Sequence, residues 1–278
     1  MEFLSAPEIR KLAEQVGFSP KKSFGQNFLL DSNVVRSIVD KAHIDASDVV
    51  LEIGPGFGSL TLGLLEVAKD VIAVEISPTL AELLPETVLR LAPDMKDKLQ
   101  VICLDALEVE DLPIAPTALV ANLPYNVSVP ILLHLLKTFP SISSGLVMVQ
   151  SEVADRLVSA PEGKTYGIPS VKLAWYAKAK KVGDIGRKVF WPAPNVDSAL
   201  VYFERHQTPL ADVDSEELFE LIDLAFSSRR KMLRSVLSSW IRSDKVFEEA
   251  GINPTVRGEA LGVLDFVQLL QANKGGNT

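Results

Sequence analysis

The chain of 278 residues contains a single cysteine, Cys103, so an internal disulfide is excluded and a reducing compartment suits it. Histidine is nearly as scarce. His43, His134 and His206 lie far apart and, with one cysteine, give no metal-ligand spacing, so no metal is expected. Long apolar runs are missing as well, and none is long enough to span a bilayer. The N-terminal residues carry Glu2, Glu8, Arg10 and Lys11 among the apolar ones, with no small-residue cleavage site, so no signal peptide is expected. There is no internal repeat and no low-complexity tract. Positive charge is in deficit, with a net charge of −8, which by itself argues against a polyanionic partner. Net charge is a global sum, however, and binding depends on local patches. What remains is a globular cytoplasmic protein with room for one large domain and a small appendage.

The apolar residues that are present fall into two alternating patterns. Ser5-Ala6-Pro7-Glu8 has the form of a capping box with proline in the first turn, and Gly17 is a stop signal, which together predict a helix. A second short helix follows Asp31 and Ser32, with Val34, Val35, Ile38 and Val39 on one face. From Val49 the period changes. Val49–Ile53, Val71–Glu75, Val101–Leu104, Ala118–Ala121 and Leu146–Val149 are short apolar runs bounded by polar or turn residues. Helical stretches lie between them, one of them with Pro85 as a kink, and others are expected over 151–158 and 168–176. This alternation implies βαβ units and a parallel sheet covered on both faces. Two more strands are expected around the Pro192/Pro194 loop, the second at Ser198–Phe203. After residue 205 the pattern becomes helical, over 218–225, 230–240, 246–250 and 264–272, ending in a polar tail from Lys274 that is expected to be disordered. The reading is an α/β domain over 1–205 and a small all-helical domain over 206–278.

Three features of the α/β part carry chemistry. The loop Gly54-Pro55-Gly56-Phe57-Gly58 follows a strand and opens a helix, and Ser59 stands where a dinucleotide loop would have glycine. It is either a nucleotide-binding loop or a sharp strand-to-helix turn. Glu75 ends the second apolar run, where a carboxylate can accept from a ribose diol, and Asp105 follows the third, where it could accept from an adenine amino group. Either acid could instead cap the helix that follows it. The fourth run ends in Asn122-Leu123-Pro124-Tyr125. An exocyclic adenine amine is a poor nucleophile because its lone pair is delocalised into the ring. Two acceptors on its N–H groups draw the nitrogen towards tetrahedral geometry. The Asn122 side-chain oxygen and the Leu123 carbonyl are suited to that. Pro124 stiffens the turn, and Tyr125 offers a flat face to a base extruded from its stack. An Asx-type turn is the alternative.

These segments, in order along the chain, resemble one family, the ribosomal RNA adenine dimethyltransferases. Lys22–Leu29 resembles its N-terminal motif, and Glu52–Gly58 its cofactor loop. Asn122–Asn126 resembles its catalytic motif, and Phe190-x-Pro192-x-Pro194-x-Val196-Asp197-Ser198 its later loop. Ala225–Lys231 resembles the start of its C-terminal domain. Ile168-Pro169 and Ser228 depart from the usual residues, away from the chemistry. The resemblance implies a Rossmann-like class I methyltransferase fold and S-adenosylmethionine as methyl donor. The substrate it implies is two adjacent adenosines near the 3′ end of 16S rRNA, in a small ribosomal subunit or its precursor. It also implies a monomer and no membrane. Asn27 and Leu29 are then expected to close over the cofactor. Gly54, Gly56, Glu75, Ile76, Asp105 and Ala106 are expected to hold it, and Asn122 to touch both ligands. Phe190 is expected as a second aromatic wall for the base, the alternative being a core phenylalanine.

Basic residues gather in two places. Residues 164–188 hold seven lysines and arginines against one acid, Asp184. Arg229, Arg230, Lys231 and Arg234 cluster at a helix start. Such patches suit RNA phosphates, although a solvated helix face has the same composition. The rival readings are a large-subunit rRNA methyltransferase of the antibiotic-resistance type, a non-catalytic nucleic-acid-binding relative, and a nicotinamide dehydrogenase. The glycine spacing disfavours the last.

Overall fold

The computed structural model of the chain describes residues 3–20 and 26–275. Lys22 to Gly25 of the N-terminal motif and the last three residues of the polar tail lie outside the described residues. The strands are β1 (Phe28–Leu29), β2 (Val49–Ile53), β3 (Asp70–Glu75), β4 (Leu99–Cys103), β5 (Ala118–Asn122), β6 (Ser144–Gln150), β7 (Ala177–Ile185), β8 (Phe190–Trp191) and β9 (Ser198–Arg205). Between them run helices α1 (Ala6–Gln15), α2 (Ser32–Ala42), α3 (Ser59–Val67), α4 (Pro78–Leu91), α5 (Ser128–Thr138), α6 (Ser151–Leu157) and α7 (Ile168–Tyr176). After β9 come α8 (Ser215–Phe226), α9 (Leu233–Val236), α10 (Lys245–Glu249) and α11 (Val263–Gly275).

Seven strands form one sheet in the order β4-β3-β2-β5-β6-β9-β7. The pairs β2–β3, β3–β4, β2–β5 and β5–β6 are parallel, and β6–β9 is antiparallel. Every residue of β2 is buried, which is why its sequence reads as a continuous apolar run and not as an alternation. Strand order grows from β2 towards β4 on one side, and the chain then returns to place β5 on the other side of β2. The carboxyl ends of β2 and β5 therefore face a point where the connections diverge, the place at which an open α/β sheet leaves a crevice.

Local signals account for the helix ends. Glu8 accepts from the Ser5 backbone at 2.8 Å and from its hydroxyl at 2.6 Å at the start of α1. Asp31 accepts from the Asn33 and Val34 N–H groups, and Asp214 from those of Glu216 and Glu217, each capping the following helix. Helix α4 continues through Pro85.

The chain divides into two compact units. One holds Met1–Ala154 with Lys180–Arg205, the other Asp155–Ala179 with His206–Thr278. Sequence order alone puts residues 155–179 with the sheet. Packing puts them with the later helices, because Tyr166 and Val171 share an apolar cluster with Leu218, Leu221 and Phe266. The helix expected over 230–240 is shorter than its pattern suggested, and only Leu233–Val236 is helical. Its first N–H groups are met by loop carbonyls, Leu233 N to Val256 O at 2.8 Å and Arg234 N to Pro254 O at 3.1 Å, and Ser235, Ser238 and Ser239 do little to extend it. Helix α11 runs on through Lys274 to Gly275, into what reads as a polar tail.

The strand that carries Asn122 is wedged by a glycine. Gly145 on β6 lies between Leu119 of β5 and Phe203 of β9, and a Cβ there would sit 2.3 Å from the Leu119 carbonyl and 2.6 Å from the Phe203 ring. Gly145→Ala is expected to destabilise the sheet unit by about 1–3 kcal/mol through overpacking. A urea titration checks this: a lowered midpoint with unchanged slope is the expected result, and an unchanged midpoint means that the Leu119 carbonyl of β5 and the Phe203 ring both give way without cost.

Candidate active site

A cavity of about 210 Å³ opens at the carboxyl ends of the central strands. Its walls come from segments 26–29, 52–57, 74–76 and 104–107, with Ser59, Leu60, Asn122, Pro124, Asn126, Val127 and Ile131. All of the expected cofactor residues line it: Asn27, Leu29, Gly54, Gly56, Glu75, Ile76, Asp105, Ala106 and Asn122.

The glycine loop turns where only glycine sits without strain. Gly54 has φ +67 and open space at its Cβ position, so its backbone is accessible from the cavity. Gly56 has φ +58 and a second constraint, because a Cβ there would lie 2.6 Å from the Phe28 ring. Its N–H donates to Glu75 Oε2 at 3.1 Å, and the Ser77 N–H donates to Oε1 at 2.9 Å. Glu75 is 4% exposed, and burial raises its pKa although the N–H groups of Ser77, Gly56 and Ile76 oppose this. Asp105 accepts the Leu107 N–H at 2.9 Å through Oδ1. Ile76 and Leu107, both apolar and both exposed, stand on the same wall.

At the end of β5 the Asn122 side chain donates through Nδ2 to the Asn27 carbonyl at 2.9 Å. A carbonyl partner demands the NH₂ group, so Oδ1 is the atom left to accept. The segment that supplies this carbonyl is held from several directions. Ser59 Oγ donates to Leu29 O at 2.8 Å, β1 pairs with β8, and Leu30 N donates to Val189 O at 2.8 Å. Phe18, Phe28 and Phe57 pack edge to face with centroids 4.7–5.8 Å apart.

Over residues 17–273 the chain matches the family described as ribosomal RNA adenine dimethylase. The chain belongs to that family. The Ribosomal RNA small subunit methyltransferase A of Paenarthrobacter aurescens is 52% identical over 273 residues, which cover 97% of this chain and 93% of that protein. The crystal structure of a dimethyladenosine transferase from Plasmodium falciparum is 26% identical, with a TM-score of 0.77 over 90% of this chain and 98% of its own. That of the 23S rRNA methyltransferase ErmE is 25% identical, with a TM-score of 0.66 over 89% of this chain and all of its own.

Within this dimethylase fold, the other site residues named from the sequence, Pro124 excepted, are not among those that line the cavity. Pro124 lines the cavity, whereas Leu123 is buried and Tyr125 half-buried behind it. Phe190 is 3% exposed, belongs to the main apolar cluster and pairs with Leu29 across β1–β8. Its ring is buried in that cluster beside Leu29. Arg229, Arg230, Lys231 and Arg234 are all exposed, on and just after a turn and not along a long helix. Arg229 is partly engaged, 3.2 Å from Glu259. Two lysines of the basic run serve structure: Lys172 pairs with Asp223 and Lys181 with Asp184, each at 2.7 Å. Among the described residues no group of three or more His, Cys, Asp or Glu is placed to hold a metal, and no helix is long and apolar enough to cross a membrane.

One charged cavity residue, named from the sequence only as the start of the Glu52–Gly58 loop, has no individual role among the sequence expectations. Glu52 on β2 is 1% exposed, lines the cavity, and its Oε2 has no hydrogen-bond partner among the described residues. The signal for it was a charge inside the apolar run Val49-Val50-Leu51-Glu52-Ile53. Burial first, opposed by the Thr61 hydroxyl and reinforced by the Glu75 charge, pushes its pKa from 4.5 up to about 8. Such a group binds its proton more tightly folded than unfolded. Its contribution is therefore most favourable below pH 4.5 and is lost as pH rises towards 8. Glu52→Gln keeps the shape and removes the titration. In cofactor-free protein it is expected to raise the melting temperature at pH 8.5 and much less at pH 5. Calorimetry at the two pH values decides, and an equal effect at both excludes a buried titrating carboxyl.

Proposed function

We propose that this chain dimethylates the N6 amino groups of two adjacent adenosines near the 3′ end of 16S rRNA, with S-adenosylmethionine as methyl donor. The observation that carries the chemistry is the Asn122 amide. Its Nδ2 is committed to Asn27, which leaves Oδ1 as an acceptor at a cavity lined by three carboxyl side chains, Glu52, Glu75 and Asp105. The small-subunit assignment is supported by the 52% identity to the small-subunit relative, against 25% to the 23S enzyme.

The cavity suits the proposed donor. Glu52 brings an unpaired buried oxygen, Gly54 an open backbone, and Glu75 two oxygens already oriented by N–H donors. The loop 54–56 and Glu52 would hold the amino-acid end, Glu75 the ribose, and Asp105 with Ile76 and Ala106 the adenine. Asn27 and Leu29 would close the site. When bound, the donor supplies an electrophilic methyl on sulfur. Asn122 Oδ1 and the Leu123 carbonyl orient the target amine by accepting from its N–H groups, so that the nitrogen lone pair points at that methyl. Tyr125 stacks on the extruded base, and Phe190 serves as the second wall once its ring is exposed. The helical domain, with Arg229, Arg230, Lys231 and Arg234, meets RNA phosphates, and the enzyme works as a monomer in the cytoplasm.

Mass spectrometry of nucleosides from small-subunit rRNA, with and without the gene, tests the function directly. Dimethyladenosine is expected to disappear with the gene, and its persistence overturns the reading. Asn122→Ala is expected to lower methyl transfer by about a hundredfold or more, since an oriented group acting in the transition state is lost. Its RNA affinity should be little changed because phosphates supply most of it. Near-normal turnover in transfer assays with tritiated donor removes Asn122 from the mechanism.

The basic cluster makes a separate expectation. Alanine at Arg229, Arg230 and Lys231 should weaken RNA binding and flatten its dependence on salt, because fewer counterions are released. Donor affinity should not change. A salt titration with the wild-type slope returns these residues to the role of a solvated surface.

A further inference from the structure

A stacking surface needs a ring, not a phenol, yet the residue that ends the Asn122 motif is tyrosine. Its hydroxyl has a specific use in the fold. Tyr125 Oη shares a hydrogen bond with Ser198 Oγ, 2.5 Å away and 73 residues later in the chain. Ser198 is fully buried at 0% exposure, so its hydroxyl is not in contact with bulk water. It is the first residue of β9, directly after the Pro192–Asp197 loop.

The anchor itself is rigid. Ser198 pairs with Gln150 in the β6–β9 ladder, and the Ser151 N–H donates to the carbonyl of the preceding Asp197 at 3.0 Å. Asp197 Oδ1 accepts the Arg187 N–H at 3.1 Å, which ties the end of the loop to the segment before β8. At its own backbone the Tyr125 motif is held by Leu123 N to Met148 O at 3.1 Å, again on β6. The tyrosine is thus referred to β6 by two routes, through the Leu123 main chain two residues before it and through its phenol by way of Ser198, which pairs with Gln150.

We infer that Ser198 is a positioning residue for the methyl transfer, fixing where the long axis of the Tyr125 ring lies, and so the place of the face against which the target adenine stacks. This rests on the reading of Tyr125 as a base-stacking residue. Ser198 touches neither the base nor the donor, and it acts through the tyrosine. A ring tethered at Cα and at Oη stays in one place when a base arrives, whereas a ring tethered only at Cα can swing about χ1 and must be placed by the base itself.

The test is a mutant cycle on small ribosomal subunit particles that lack the modification, with transfer of tritiated methyl and thermal melting as readouts. Tyr125→Phe and Ser198→Ala should each lower kcat about three- to tenfold, the effect of one hydrogen bond, with KM for the particle unchanged. The double variant should be no worse than either single one, and Ser198→Thr, which keeps the hydroxyl, should recover most of the rate. Wild-type kcat in both Tyr125→Phe and Ser198→Ala, with Tyr125→Ala impaired, overturns the role of Ser198 and leaves Tyr125 as a stacking surface. Wild-type kcat in Tyr125→Ala removes the stacking reading and this inference with it. A lower melting temperature in Ser198→Ala without a change in kcat makes Ser198 a purely structural residue, and additive losses in the double variant show that the two hydroxyls act separately.

Discussion

The reversal of strand order between β2 and β5 is the constraint on which the site depends. Parallel strands wound in one direction cover each other's carboxyl ends with the helices that follow. Where the direction changes, the helices after β2 and β5 leave to opposite sides, and the strand ends stay uncovered. The glycine loop sits on one side of that gap and Asn122 on the other. The acids and the amide of the sheet side of the cavity sit at or just after strand ends: Glu52 at β2, Glu75 at β3, Asp105 after β4, Asn122 at β5. The chemistry is distributed over 71 positions of sequence and gathered by topology alone.

A gap of this kind needs a fourth wall, and the strands do not supply it. It comes from the N-terminal segment 26–30, which crosses the opening as β1. Its anchors are not interchangeable. The aromatic set Phe18, Phe28 and Phe57 provides apolar burial, Ser59 and β8 hold the backbone, and Asn122 holds the Asn27 carbonyl. Gly56 is constrained from both sides, by its positive φ and by the Phe28 ring that occupies the space of its missing Cβ. The same bond that ties the N-terminal segment down also sets which atom of Asn122 is free to accept. Closure of the site and orientation of the amide are one event.

Buried charge is the cost of this arrangement. Glu52 and Glu75 lie on one face of adjacent strands, both deeply buried, and both have carboxyl groups pushed upward by desolvation. Glu75 is compensated by backbone N–H groups, whereas Glu52 keeps an oxygen with no partner among the described residues. A core built only for stability would place an apolar residue at Glu52, as it does at Val50 and Leu51 beside it.

The sequence by itself determined the elements and the strand-end residues. Short apolar runs, the Gly54–Gly58 loop, Glu75, Asp105 and Asn122–Tyr125 were legible because each depends on local periodicity or on a residue type that a turn or a chemistry demands. Tertiary structure alone decided the rest, because it turned on who packs against whom across long separations. The glycine at 56 answers to Phe28, the hydroxyl of Tyr125 to Ser198, and the amide of Asn122 to Asn27. Phe190 has the same composition signal as a pocket aromatic, but β1–β8 pairing buries it. Residues 155–179 precede the composition break at 205, but their apolar face finds its partners in α8 and α11. Local pattern states which face of an element must be buried; it does not state against what, and that choice is made only when distant segments compete for the same apolar surface and the same hydrogen bonds.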